Sequence, residues 1–306
     1  VAKQREEAGA FTVTFWGVRG SHPVCGSAFL NTGGDTTCVE VRAGGHVIVI
    51  DAGTGIIELG RRLAAEAAEN PDRALTLLLT HTHYDHTMGF PFFTPAYRRG
   101  ARLHLYGPST LNQSFQDILT EAMVPPVFPV TLGEMPAAKV IETIAGQDEV
   151  VWKPEAETPV VRPAGQEPDA QVRVRVYRCL AHPVTGCFVY RVEYGGRAFV
   201  FATDVEGYRG GDRRLIEFAR GADLLVHDAQ YTEEEYGAGE VPRQGWGHST
   251  VAMACEVARE AGVGRLLLTH HDPVRTDADV DAIEQAADRM LGGTGCARKG
   301  MTVRLA

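Results

Sequence analysis

Leu75-Thr76-Leu77-Leu78-Leu79-Thr80-His81-Thr82-His83-Tyr84-Asp85-His86 is the stretch from which the rest of the chain is read. The apolar run has the length and character of a buried strand. It passes directly into three histidines and one carboxylate within six residues. A strand that ends in clustered imidazoles packs poorly but coordinates well, because neutral imidazole and carboxylate suit zinc and related divalent ions. His81 and His83 lie two apart and project to the same side of an extended exit. Asp85 and His86 follow a bend and reach a second position. One ion takes about four ligands. This stretch alone offers four and more follow downstream, so the surplus points to two divalent ions.

Composition bounds the rest. The chain has 306 residues, 44% hydrophobic and 23% charged, which is ordinary for a globular protein and ample for a large core. No apolar run approaches the roughly 20 residues that span a membrane. Val1-Ala2-Lys3-Gln4-Arg5-Glu6-Glu7 lacks the apolar core of a signal peptide, so no membrane partner and a cytoplasmic location are expected. The six cysteines form no C-x-x-C pair and read as free thiols. The net charge of −9 argues against broad nucleic-acid binding, which needs many cationic contacts. It is compatible with a small anionic substrate whose charge is met locally by metal ions.

Residues 1–10 read as a peripheral tail and 11–306 as a single domain. Phe11–Trp16 alternates as a strand. Two strands flank Ala43-Gly44-Gly45 as a hairpin, and the second runs into Asp51-Ala52-Gly53-Thr54-Gly55. Asp51 has two readings: it orients a ligand histidine by accepting its other N–H, or it is a turn carboxylate capping the following helix. His22 and His104 read as loop and packed side chains. Residues 131–170 show no clear periodicity and read as a variable surface loop or flap. Val172–Tyr177 alternates strictly and delivers His182. A second hairpin over Gly195-Gly196 ends at Asp204, a position suited to a carboxylate bridging two ions. Gly247-His248-Ser249-Thr250 opens a helix, with Ser249 and Thr250 as good N-cap types. A phosphate is favoured at such a helix start. Leu266-Leu267-Leu268-Thr269-His270 repeats Leu77-Leu78-Leu79-Thr80-His81 residue for residue, which favours His270 over His271 as a ligand.

H-x-H-x-D-H at 81–86 resembles the signature of the metallo-β-lactamase-fold hydrolases. Phe15-Trp16-Gly17-Val18-Arg19-Gly20-Ser21, Gly33-Gly34-Asp35-Thr36-Thr37-Cys38 and Asp51-Ala52-Gly53-Thr54-Gly55 look like motifs of the ribonuclease Z and cyclic-phosphodiesterase branch. The resemblance covers nearly the whole chain and is weakest over 131–170. It implies an α/β fold, a four-layer αββα sandwich of two similar halves. Carried over by position, it implies that His81, His83 and His182 hold one ion. Asp85, His86 and His270 then hold the second, with Asp204 bridging. Zinc is the first choice of metal, with manganese or iron as alternatives. Asp85 and His248 are the implied catalytic residues, and His248, Ser249 and Thr250 bind substrate. The β-lactamases themselves fit less well, since their second ion commonly uses a cysteine where this chain has Asp204.

The expected function is therefore a dinuclear metal-dependent phosphodiesterase acting through a metal-bound hydroxide. Cyclic nucleotides and other small phosphodiesters are preferred as substrates, because the chain is acidic and lacks an obvious basic, glycine-rich arm. The alternative is a tRNA 3′-processing endoribonuclease, with RNA as partner. A non-phosphate ester or lactam hydrolase, or a non-catalytic ligand-binding module, stands behind both. The resemblance also implies a homodimer.

Overall fold

The computed structural model describes residues 9–208, 210–238 and 241–306. The first eight residues of the expected tail, and Arg209, lie outside the described residues.

Alternating stretches such as Val172–Cys179 and continuous apolar runs such as Leu75–Leu78 and Leu266–Thr269 become the strands of two sheets. The first is assembled from β1 (Phe11–Gly17), β2 (Cys38–Ala43), β3 (His46–Ile50), β4 (Leu75–Leu78), β5 (Arg102–Gly107) and β6 (Ala138–Thr143). The second comprises β7 (Asp148–Trp152), β8 (Val160–Pro163), β9 (Val172–Cys179), β10 (Cys187–Tyr194), β11 (Arg197–Ala202), β12 (Leu224–Asp228), β13 (Leu266–Thr269) and β14 (Gly295–Cys296). The final strand β15 (Thr302–Arg304) returns to pair with β1. Among the described residues the orders are β15-β1-β2-β3-β4-β5-β6 and β14-β13-β12-β11-β10-β9-β7-β8.

Three apolar clusters separate four layers. The central one lies between the sheets and is built from inward residues such as Phe15, Ile48, Trp152, Tyr190, Phe199 and Phe201. A second packs the first sheet against the helix Gly55–Glu66, whose buried Ile56, Leu59 and Leu63 recur at helical spacing. A third packs the other sheet against the helices Arg213–Ala219, Val251–Ala261 and Asp277–Met290. The architecture is the αββα sandwich. Matching hairpins mark its two halves: β2–β3 turns through Gly44 and Gly45 at φ 57° and 83°, and β10–β11 through Gly195 and Gly196 at 58° and 75°. Two consecutive residues at positive φ are what a two-residue hairpin turn needs, and glycine adopts them without strain.

Residues 131–170 correct the sequence reading. They are not a flap: they supply β6, β7 and β8, edge or near-edge strands through which the chain passes from one sheet to the other. β6 keeps every residue at least partly exposed, so it carries no apolar signature.

Six chain segments leave their strands on the same rim of the sandwich. β3 ends at Asp51, β4 at His81, β9 in the His182 loop, β11 at Asp204, β12 at Asp228 and β13 at His270. The sheets are joined there, because Phe188 N donates to Thr80 O at 2.7 Å and Tyr190 Oη donates to Leu79 O at 2.6 Å.

Candidate metal centre

His81, Asp85, His86, His182, Asp204 and His270 are buried and converge at this rim, while His83 stays exposed at its mouth. Their ligating atoms fall into overlapping groups whose members lie within 4.8 Å of one another: His81, His83 and His182; His81, His86 and Asp204; Asp85, His86 and His270. Asp204 stands between the two sides. Its Oδ1 lies 3.7 Å from Nε2 of both His81 and His182, and its Oδ2 lies 3.2 Å from His86 Nε2 and 3.3 Å from His270 Nε2. Asp85 Oδ2 is 3.3 Å from Nε2 of both His86 and His270.

The outer nitrogens fix which way the rings present. His86 Nδ1 donates to Asp51 at 2.8 Å, His182 Nδ1 to the Gly247 carbonyl at 3.0 Å, and His270 Nδ1 to Gln230 Oε1 at 2.8 Å. Thr80 Oγ1 donates to Asp51 and accepts from His81 Nδ1 at 3.1 Å. With a proton on each Nδ1, neutral rings turn their Nε2 lone pairs inward, towards carboxylate oxygens. Nε2 of His81 and His86 is buried and makes no hydrogen bond among the described residues. Converging lone pairs and carboxylates repel unless positive charge lies among them, so this donor set fits divalent cations.

The ionisation pattern agrees. Burial pushes the imidazoles of His81, His83 and His182 below their ordinary value. Burial also opposes charge on His86 and His270. There, however, Asp204 and its neighbouring carboxylates prevail, raising His86 well above its usual range and His270 to about 9. One side thus offers neutral ligands, and the other demands positive charge.

Backbone strain accompanies the arrangement. Asp51, Asp204 and His270 are non-glycine residues at φ 63°, 56° and 60°. Such residues persist where surrounding contacts over-determine them, typically at functional sites. Close approach is also required: a Cβ added at Gly20 would lie 2.3 Å from His270 Nδ1, and one at Gly247 would lie 2.3 Å from His182 Nδ1.

His248 adjoins the cluster. Its ring stacks on His270 at 4.9 Å and meets His182 edge-on at 5.3 Å. Its Nδ1 donates to Asp228 Oδ2 at 2.7 Å, which leaves Nε2 as the ring nitrogen free to exchange a proton. Ser249 and Thr250, expected to bind substrate, turn their hydroxyls to other protein groups. Both are buried; Ser249 Oγ donates to Val205 O at 2.6 Å, and Thr250 Oγ1 caps the helix at Met253 N. His22 is exposed, and His104 is buried against Tyr106 away from the cluster. His271 turns to the Ala297 carbonyl.

Sequence reading missed Asp228, Gln230, Thr80 and Glu206. Asp228 accepts from Asp204 N, Gln230 N, Ser249 N and His248 Nδ1 together. Its one sequence signal was its place at a strand end, in Leu224-Leu225-Val226-His227-Asp228.

Residues 46–271 match the β-lactamase superfamily domain. The ribonuclease Z of Methanopyrus kandleri is 30% identical over 90% of this chain and 96% of its own length. That of Thermococcus kodakarensis is 29% identical over 79% of this chain and 82% of its own. The short form of human tRNase Z shares the fold, with a TM-score of 0.62 at 20% identity over 95% of this chain and 98% of that one. The chain belongs to the β-lactamase superfamily, with ribonuclease Z proteins among its relatives, and is a metal-dependent hydrolase.

Proposed function

We propose that the protein is a dinuclear metal-dependent phosphodiesterase whose substrate is RNA, cleaved in the manner of a tRNA 3′-processing endoribonuclease. The observation that carries the metal reading is Asp204, with one carboxylate oxygen towards His81 and His182 and the other towards His86 and His270. His81, His83 and His182 are proposed to hold one ion and Asp85, His86 and His270 the other, with Asp204 shared. Bound divalent ions would supply an activated water and neutralise charge on a phosphoryl oxygen. The all-imidazole and carboxylate donor set favours zinc. We infer a single domain over 11–306, supported by the core shared between the sheets.

The chain's own residues divide the remaining work. Asp51, Thr80, Gln230 and the Gly247 carbonyl hold the ligand rings in their inward tautomer. Asp85 also accepts from Ser21 N at 2.8 Å, which fixes its carboxylate. His248, oriented by Asp228, is placed to give a proton at Nε2 to the departing oxygen. The exposed side at His83 is the approach for substrate.

RNA replaces the small phosphodiesters preferred on sequence grounds, because the relatives that match most of the chain are named ribonuclease Z. The net charge of −9 is the observation that keeps small cyclic phosphodiesters as the second reading. The two are separated by offering zinc-loaded protein a precursor tRNA with a 3′ trailer, 2′,3′- and 3′,5′-cyclic nucleotides and a simple aryl phosphodiester. Trailer removal sensitive to His248→Ala is the expected result. Turnover confined to cyclic nucleotides would install the second reading, and silence on all three with two metals bound would end both. The homodimer implied by the resemblance is proposed alongside and is tested by sedimentation.

A further inference from the structure

We propose that Trp246 and Arg243 form a stacking subsite for the nucleobase next to the cleaved phosphodiester. The inference rests on the phosphodiesterase reading and deepens it by assigning a substrate contact.

A row of planar groups leads outward from the site. Tyr231 meets the His248 ring edge-on at 5.7 Å, the Arg243 guanidinium lies 4.9 Å over Tyr231, and the same guanidinium lies 5.5 Å over Trp246. The row passes from buried to open: His248 is 8% exposed, Tyr231 2%, the Arg243 side chain 33% and Trp246 50%. An indole left half exposed, two residues before His248, adds little to the core. Its partner is a cation rather than an apolar wall.

The segment is held firmly to the centre. Glu206, two residues beyond Asp204, accepts from Gly245 N at 2.7 Å, Gly247 N at 2.8 Å and Tyr236 Oη at 2.7 Å. Arg243 Nη1 reaches Asp272, two residues beyond His270, at 3.4 Å. Trp246 N donates to Arg243 O at 3.2 Å. The platform therefore keeps a fixed place relative to Asp204, His248 and His270.

Other exposed apolar side chains adjoin the histidines of the centre in the sequence. Tyr84 is 73% exposed between His83 and Asp85, and Val184 is 94% exposed two residues after His182. Aromatic rings backed by a guanidinium are suited to a base, which has a π-face and sits beside an anionic backbone. Stacking also explains how an acidic chain could hold a nucleic-acid strand without a broad basic surface.

Tryptophan fluorescence tests this directly, because Trp16 and Trp152 are buried and Trp246 is not. A phosphorothioate-linked oligoadenylate should quench the wild-type protein and leave Trp246→Phe unquenched. In kinetics, Trp246→Ala should raise KM for an oligoribonucleotide by about tenfold, the usual effect of removing one base stack, with kcat little changed. Turnover of methyl p-nitrophenyl phosphate, which has no base, should be unchanged, and Trp246→Phe should keep most of the affinity. Absence of quenching overturns the subsite whatever the activity. An equal loss on both substrates would also overturn it, because that marks a purely structural role. Quenching without hydrolysis of either substrate would support the subsite and refute the phosphodiesterase reading.

Discussion

Asp228→Asn tests whether His248 acts through its orientation. The carboxylate accepts four hydrogen bonds, from Asp204 N, Gln230 N, Ser249 N and His248 Nδ1. An amide has nearly the same shape but only one accepting oxygen. If that oxygen faces Gln230 and Ser249, the NH2 group faces the N–H of Asp204 and the His248 ring. The ring then presents a lone pair at Nδ1 and carries its proton at Nε2 in the neutral form, with no carboxylate to support the cation. Loss of a charge-assisted hydrogen bond costs about 1.5–3 kcal/mol, so kcat should fall by roughly 10- to 150-fold. The unmet Asp204 N–H adds about 1–3 kcal/mol of instability. The assay is kcat on a phosphodiester substrate, for Asp228→Asn, His248→Ala and the double variant, with metal content measured for each. The two losses should overlap, so that Asp228→Asn costs little once His248 is gone. Fully additive losses at unchanged metal content would refute the orienting role of Asp228, as would wild-type kcat in Asp228→Asn.

Asp51→Asn should weaken metal binding by roughly 10- to 100-fold, the usual effect of losing a carboxylate behind a ligand histidine, and titration with a competing chelator would read it. Gly20→Ala should displace His270, since the new Cβ would meet its Nδ1 at 2.3 Å, and occupancy of one ion should drop while the fold persists. His271 gives a pH effect. Burial lowers its pKa to about 4, against about 6.5 unfolded, so the unfolded chain binds more protons between these values. The stability from keeping it neutral is complete above pH 6.5 and is lost as pH falls towards 4, by about 3 kcal/mol. His271→Gln keeps a donor for the Ala297 carbonyl and should flatten that part of the Tm–pH curve relative to wild type; parallel curves would count against it.

What the sequence reveals follows from how local each cause is. The H-x-H-x-D-H cluster needs only a strand and the bend after it, and both are written into consecutive residues. The choice of His270 over His271 is legible in the sequence too, because Leu266–His270 repeats Leu77–His81 residue for residue. One joins the cluster and the other reaches Ala297. Asp228 escapes such reading because its meaning comes from Asp204, 24 residues before it, and His248, 20 residues after it. The direction of the Ser249 and Thr250 hydroxyls is hidden for a related reason: a hydroxyl pair at a helix start looks the same in sequence whether it faces outward or is turned to Val205 and Met253. Residues 131–170 hide their strands because β6 and β8 bury no residue fully, while β7 is a short continuous buried run without alternation.

Metal removal should show that the centre and the fold share one free energy. Left-handed backbone at Asp51, Asp204 and His270 costs about 1–3 kcal/mol per residue, and the buried carboxylates and inward lone pairs add to it. Cations that bind the folded but not the unfolded chain offset this cost. At a free metal concentration about 100 times Kd the gain is about 2.7 kcal/mol, and it grows by about 1.4 kcal/mol with each further tenfold rise. Tm should therefore climb with the logarithm of free zinc and fall on chelation, and the slope should shrink in Asp204→Ala, which disrupts both sides of the centre at once. A Tm indifferent to chelator would mean that the strain is held by the surrounding packing alone. The left-handed exits would then belong to the architecture of the rim rather than to any cation it holds.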